Sequence, residues 1–350
     1  CSVYADFSSG SCLIFPAQKN GGQVDLYVNC MVREVKTNEE GRATGVSYIN
    51  KEDRKEYALN AKVVVLAASA CSSARILLNS KSKQHPNGLG NSSNMVGKYL
   101  HDSTGASRAG FIPGLMNRKM NNEDGVGGMH VYSPWWLDTK DLDFPRGYHI
   151  EVWGGIGMPN YGFGFNPNEF NKFFGLPTGG YGNGLRADVK KYYGSVLGFG
   201  GRGESIAMED NYCEIDPTTV DEFGIPVLRF HYKWSDYERK QARHMQSTFE
   251  ELIHNMGGEV LGDSPGPDQD YGLLAPGRII HEVGTTRMGD DPSRSVVNKY
   301  QQLHDSDNVF IMDAGPFVSQ ADKNCTWTIM ALAWRASEFL VDQLKQQNIT

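Results

Sequence analysis

The sequence predicts an α/β protein of two domains (α+β in overall composition), one built on a parallel sheet with helices and one on an antiparallel sheet. Three observations carry this. The β-branched run Val63-Val64-Val65-Leu66 passes through small residues into a helical segment. From 103 to 272, strand-like runs alternate with Gly- and Pro-rich turns. After 273 a second apolar run, Val309-Phe310-Ile311-Met312, leads to a long apolar helix. Residues 1–102 and 273–350 therefore read as one domain and 103–272 as the other.

Val24-Asp25-Leu26-Tyr27-Val28 reads as a first strand, Met31 to Val35 alternates, and Gly41 to Tyr48 reads as another strand after a polar turn. Glu56 to Lys62 leads into Val63–Leu66, a continuous β-branched run of the kind a parallel sheet buries. A helix then begins at Ser72-Ser73-Ala74-Arg75. A strand, a small-residue turn and a helix can lay backbone N–H groups along a dinucleotide. They also make an ordinary βα unit, and the residues alone admit both. In the second domain Gly147–Trp153 and Pro226–Tyr232 read as antiparallel strands, and Glu204–Glu209 as a further strand. Ser235 and Glu238 form an S-x-x-E capping box. Ala242, Met245, Phe249, Leu252, Ile253 and Met256 follow at helical spacing, and Gly257 and Gly258 end that helix. In the last segment Val309–Met312 adds a buried strand, and a terminal helix runs from Thr326 to about Gln346. Its Trp327, Met330, Ala331, Trp334, Phe339 and Leu340 read as buried.

A chain of 350 residues is long enough for two cores. The formal net charge of −7 argues against a nucleic-acid partner, which needs clustered Lys and Arg. No apolar stretch reaches the ~18 residues of a transmembrane helix. The six cysteines form no C-x-x-C pair, so no metal site is expected. The 40 glycines, with abundant Tyr, Phe and Trp, suit irregular strands around a substrate cavity, or a loop-rich β domain without one.

Candidate chemistry concentrates near the C-terminus. His281-Glu282-Val283-Gly284-Thr285-Thr286-Arg287-Met288-Gly289 is followed, 43 positions after the histidine, by Asn324 and then Cys325-Thr326-Trp327-Thr328. This order can bring a base and an amide together beside one helix N-terminus. Oxidising an alcohol removes a proton from oxygen and a hydride from carbon. Histidine suits the proton, and an amide N–H can hold the developing alkoxide.

These residues resemble the C-terminal signature of the glucose-methanol-choline (GMC) oxidoreductase family. The shared pieces are the His281–Gly289 stretch, Ser295-Val296-Val297, a strand ending in Asp313-Ala314, and Asn324 before a Thr-containing helix start. More weakly, Val32–Val35, Val63–Ala70 and Asn94–Asp102 look like the family's middle FAD-domain segments. The region from about 103 to 272 is family-like only in layout. The resemblance implies an incomplete Rossmann-like FAD-binding domain plus an antiparallel substrate domain. It implies FAD as cofactor, His281 as catalytic base and Asn324 as its hydrogen-bonding partner, with hydride passing to flavin N5. Cofactor contacts carried over are Val32 at the adenine, Ala67 and Ser69 in the βα turn, Asp313 and Ala314 near the ribityl-pyrophosphate, and Cys325 and Thr326 at the helix start. That helix end would favour an anionic reduced flavin. Thr326 and Thr328 also read simply as N-terminal helix residues.

The implied substrate is a sugar, glycoside or other alcohol, since the sequence looks closest to bacterial sugar-oxidising members such as gluconate and glucoside dehydrogenases. An electron acceptor and a small subunit or N-terminal partner chain are implied partners, and the location is left open between a bacterial periplasm, which is favoured, and cytoplasm. Trp135, Trp136, Trp153, Tyr161 and Phe163 could stack on pyranose rings or simply pack a core. Family members begin with a G-x-G-x-x-G turn between strand and helix. The one such string here, Gly198-Phe199-Gly200-Gly201-Arg202-Gly203, is not followed by a helix-like segment, so it is not read as a nucleotide site. The chain is therefore read as a C-terminal portion of a longer flavoenzyme, expected to bind FAD poorly alone. The alternative is a flavin-free protein that keeps the fold without the chemistry.

Overall fold

The computed structural model describes residues 7–118, 131–134, 140–154, 182–192 and 194–349. Trp135, Trp136, Tyr161 and Phe163 lie outside the described residues, as does the side chain of Trp153. A short helix, α1 (Phe15–Lys19), precedes an antiparallel sheet of β1 (Cys30–Thr37), β2 (Ala43–Asn50) and β3 (Glu56–Asn60) in that order. Val24–Val28 is not a strand. Its alternation finds no partner backbone, and Leu26, Tyr27 and Val28 are exposed. A period-two pattern makes a strand only where a neighbour accepts its hydrogen bonds.

The β-branched run forms β4 (Val64–Leu66), and α2 (Ala70–Asn79) follows after three small residues. β5 (Thr104–Phe111), β6 (Val131–Pro134), β7 (Tyr148–Gly154) and β8 (Val196–Gly203) build an antiparallel sheet, with α3 (Asn183–Tyr192) leading into β8. The Gly198–Gly203 string therefore lies in a central strand. Its glycines serve packing: a Cβ at Gly201 would meet Met245, and one at Gly203 would meet Gln241 and Thr104. Glu204–Glu209, predicted as strand, leaves the sheet. The Ser205 hydroxyl donates to the Asp102 carbonyl (2.7 Å) and the Ile206 N–H to Glu238 (2.9 Å), and such side-chain partners displace a ladder.

The hairpin β9 (Tyr212–Val220) and β10 (Pro226–His231) stands apart from that sheet. It packs on the first core instead, through Cys213, Ile215 and Leu228, and its turn is held by Arg75 of α2, which donates to Pro226 O (2.7 Å) and pairs with Asp221 (2.8 Å). α4 (Asp236–Asn255) begins with the predicted capping box, Ser235 and Glu238 each bonding the other's end of the turn. Ala242, Met245, Phe249 and Ile253 bury its apolar stripe against Ala106, Tyr148, Ile150 and Phe199 of the sheet. β11 (Glu259–Val260) adds an edge beside β5, giving the order β11-β5-β8-β7-β6.

β12 (Val309–Ile311) returns the chain to β4, in parallel register with Val309 opposite Val64 and Ile311 opposite Leu66. The last helix, α5 (Thr326–Lys345), corrects the sequence reading. Trp327 is 86% exposed and Trp334 71%, and Met330 and Ala331 are exposed beside them. Helical spacing alone does not say which stripe is covered when a helix is apolar on most sides. The covered stripe is Ile329, Leu332 and Ala336, with Phe339 stacked on Tyr300 at 4.0 Å. Among the described residues no helix is long and apolar enough to cross a membrane.

Phe249→Ala empties the centre of the sheet–α4 core. It is expected to lower the unfolding free energy by about 3–5 kcal/mol, read as a fall in the urea midpoint with an unchanged slope.

Candidate active site

His281 sits on an irregular segment that one carboxylate organises. Asp102 is buried, and its Oδ1 accepts the N–H of His281 (2.9 Å) and of Ser103 (2.8 Å), while Oδ2 accepts that of Gly277 (3.1 Å). Burial pushes the Asp102 carboxyl above its usual range, and these N–H donors pull against that rise. Two residues on, Val283 and His101 exchange backbone hydrogen bonds of 2.9 and 3.1 Å. The threonines that follow fix the loop from the other side. Thr285 Oγ1 donates to Ala70 O at the start of α2 (2.6 Å), and the Thr286 N–H donates to Gly315 O (3.0 Å). Arg287 lies over the Tyr99 ring, 4.4 Å from its centroid.

Asn324 arrives on the loop after β12. Asp313 ends that strand and is buried, with Ser73 Oγ donating to one oxygen (2.5 Å) and the Gly315 N–H to the other (2.8 Å). Gln320 Nε2 donates to Ser103 Oγ (2.9 Å), beside Asp102. The result is that Asn324 Nδ2 lies 3.5 Å from His281 Nε2. Burial, and then the Arg202 guanidinium, hold the His281 imidazole below its ordinary pKa, against the opposing carboxylates of Glu151 and Glu282.

The first turn of α5 opens at the same place. Cys325 occupies the cap with no side-chain hydrogen bond, so neither Thr326 nor Thr328 caps the helix, and both are exposed. Free N–H groups and a positive dipole end suit an anion. A cavity of about 340 Å³ adjoins them, lined by Phe317, Asn324, Cys325, Thr328, Leu332 and Arg335 among others. α2 starts similarly. Ser69 takes φ +81 at its cap with no side-chain cap bond, and Ala67 and Ser69 are exposed at the end of β4. A cavity of about 460 Å³ touches Ser69, Ala70, Cys71, Asp102 and Glu282. An apolar wall with two uncapped helix starts fits a flat cofactor that carries phosphates and becomes anionic on reduction.

The predicted residues thus fall into two adjoining groups. Ala67, Ser69, Asp313 and Ala314 end the paired parallel strands, and His281, Asn324, Cys325 and Thr326 surround the start of α5. Ala70, Val283, Ala314, Phe317 and Cys325 form one small core that joins them. Val32 is separate, half-buried on β1 against the first core.

Sequence reading missed a buried charged row beside this pair. His149 is fully buried on β7, with Nε2 3.3 Å from Glu151 Oε1 and Nδ1 3.6 Å from Asp322 Oδ2. Glu151 Oε2 lies 3.4 Å from Arg202 Nη2, and Asp322 also pairs with Lys323. The available signal was a His and a Glu two apart on one strand, hence on one face. Among the described residues no set of His, Cys, Asp or Glu is grouped to hold a metal ion.

Comparison with known proteins follows this geometry. The N- and C-terminal domain models of GMC oxidoreductases match residues 1–104 and 209–333. The chain is 30% identical over 317 residues to 2-methyl-1,2-propanediol dehydrogenase of Mycolicibacterium austroafricanum, covering 90% of this chain and 54% of that protein. It is 25% identical to the fructose dehydrogenase large subunit of Gluconobacter japonicus (94% and 56% covered) and 26% identical to the gluconate 2-dehydrogenase flavoprotein of Pantoea cypripedii (98% and 55%). The chain spans about half the length of these relatives. Among solved structures, formate oxidase of Aspergillus oryzae superposes with a TM-score of 0.63 at 12% identity, over 92% of this chain and 61% of that one. Pyridoxine 4-oxidase of Mesorbium loti gives 0.57 at 14%, over 89% and 57%. At such identities the likeness is one of fold.

Asp102→Ala strips the acceptor from three backbone N–H groups. It is expected to cost about 2–3 kcal/mol of unfolding free energy, measured by denaturant titration, with faster amide hydrogen exchange at His281 and Gly277.

Proposed function

The chain belongs to the GMC oxidoreductase family, and from that premise we propose that it carries the alcohol-oxidising centre of an FAD-dependent enzyme acting on CH–OH groups. The observation that carries this reading is the 3.5 Å approach of Asn324 Nδ2 to His281 Nε2 beside the uncapped start of α5. A substrate hydroxyl seated between them meets a base and a donor at once. His281 Nε2 takes the hydroxyl proton, and the Asn324 amide donates to the oxygen as negative charge grows there. Burial and Arg202 favour the neutral imidazole, which is the form a base requires.

When bound, FAD supplies the hydride acceptor. Cys325 and Thr326 present the α5 N–H groups to it, and Ala67, Ser69 and Ala314 line its path with small side chains. Asp313 acts at one remove, since Ser73 and Gly315 engage its carboxylate; its part is to hold the strand end where Ala314 stands. Val32 contributes an apolar face at the far end. In this reading 1–102 with 273–350 hold the cofactor, joined by the hairpin β9–β10, and the antiparallel sheet within 103–272 covers the substrate. The matched relatives are named for a diol, fructose and gluconate, so a polyhydroxylated alcohol or sugar is the proposed substrate class. The names "large subunit" and "flavoprotein" support a companion subunit and a separate electron acceptor.

Visible flavin absorbance of the purified protein, bleached by a sugar or polyol, tests the assignment. In the flavin-loaded protein His281→Ala is expected to slow flavin reduction by ~10²–10⁴-fold with a smaller change in substrate affinity. Asn324→Ala should cost ~10²–10³-fold. Because His281 is held below its ordinary value, its base form is present at neutral pH and lost as pH falls. The parental rate should therefore be level above neutrality and drop through a midpoint below about 6.5. Stopped-flow reduction across pH reads this, and an alanine variant with the parental rate and profile removes His281 from the role.

A further inference from the structure

The buried row of charges beside the site explains how Asn324 is held. We propose that His149 is a positioning residue, an imidazolium clasped between Glu151 and Asp322, which ties the Asn324-bearing loop to the antiparallel sheet and sets the spacing of Asn324 from His281.

The two carboxylates flanking the ring favour its charged form. A neutral imidazole has one donor and one acceptor nitrogen. His149 has a carboxylate on each side, 3.3 Å from Nε2 and 3.6 Å from Nδ1. An imidazolium is attracted to both, through a hydrogen bond to Glu151 and an ion-pair contact to Asp322, whereas a neutral ring would turn a lone pair toward one of the anions. A buried charge survives only when paired, and this one is paired twice. Burial alone would lower the pKa of His149; Asp322 and Glu151 outweigh it and raise it. The charged and titratable groups around the ring, among the described residues, are Glu151 on its own strand, Arg202 opposite it on β8, Asp322 and Lys323 on the loop, and His281. With the ring charged they carry three fixed positive and two negative charges, leaving His281 the sixth and uncharged member.

Two consequences follow from position. Asp322 lies two residues before Asn324, so the His149–Asp322 contact anchors the loop almost at the amide itself. Gln320 anchors it on the other side through Ser103. The positive charge of His149, added to that of Arg202, also disfavours a second imidazolium at His281. One ring thus serves both the place of the donor and the protonation of the base.

Replacement need not unfold the site, because Glu151 keeps Arg202 and Asp322 keeps Lys323. The test uses the full chain with ¹³C-labelled histidine, resonances being assigned from His149→Gln and His281→Ala. In the parent, His149 should titrate above and His281 below the ordinary imidazole value. In His149→Gln the His281 midpoint should rise, because one of the cations that lowers it is gone, while in Asp322→Asn the His149 midpoint should fall toward its ordinary value. Reduction of the flavin-loaded variants should slow ~10–100-fold as Asn324 loses its station, and the double variant should be little worse than either single one. A role confined to packing would leave the His281 midpoint where it was. A parental His149 that titrates at or below the ordinary imidazole value, or a His281 midpoint unmoved in His149→Gln, overturns the proposal. The catalytic consequence rests on His281 being the base, but the titrations need neither flavin nor substrate. If they come out as expected while His281→Ala reduces normally, the clasp stands and the catalytic reading falls.

Discussion

The site depends on backbone approaching backbone more closely than any side chain would permit. Gly284 has φ +97, and a Cβ there would strike the Tyr99 carbonyl and come within 2.7 Å of His101 Nδ1. Gly315 has a similar place on the other side, where a Cβ would meet the Thr286 hydroxyl. These two glycines let the His281 segment slide between residues 99–101 and the turn after β12. Once it is there, Asp102, Thr285 and Thr286 supply its hydrogen bonds, and Ala70, Val283, Ala314, Phe317 and Cys325 close a small core beneath it. The parallel pair β4–β12 sets the height at which that core forms, because α2 and the Asn324 loop both leave from its C-terminal ends.

Electrostatics then surrounds the His281 imidazole, the base of the proposed reaction, with fixed charges. Arg202, Lys323 and the clasped His149 are cations, Glu151 and Asp322 are anions, and the start of α5 adds a partial positive charge. Proton affinity at His281 falls under burial and Arg202 and is partly restored by Glu151 and Glu282. In the proposed reaction, charge developing on a substrate oxygen would meet the Asn324 donor, with the Arg202 guanidinium and the start of α5 nearby. The cation that most lowers the proton affinity of His281, Arg202, would in that proposal also favour an anion beside it, so one arrangement would serve both the proton's departure and the charge it leaves behind.

How much of this was legible follows from how local each feature is. The capping box at Ser235 and the apolar stripe of α4 are helix-intrinsic and were readable. So was β4, because four consecutive apolar residues before a run of small ones have few other uses. The family motif located His281 and Asn324, since each is marked by its own neighbours. Val24–Val28 and Glu204–Glu209 misled because local alternation says nothing of whether a partner strand exists, and Trp327 and Trp334 because periodicity does not choose between two apolar faces. The charged row was the hardest. His149 and Asp322 are 173 residues apart, and their meeting is a product of tertiary packing alone. A polar i, i+2 pair on a Gly-flanked strand is its only trace, and without knowing which face is buried that trace has no meaning.

The division of labour between the two sheets follows. His281 and Asn324 stand on loops fixed to the first core, where glycine contacts and backbone hydrogen bonds leave little freedom to vary. Glu151, His149 and Arg202 stand on a sheet whose core is the separate packing of α4. A substitution on that sheet can change the proton affinity of the base, through space, without moving the base. It can also move Asn324, because the sheet reaches the loop through Asp322. The His281–Asn324 pair is thus adjustable from the antiparallel sheet by residues outside it, while the two helix starts remain where the first core holds them.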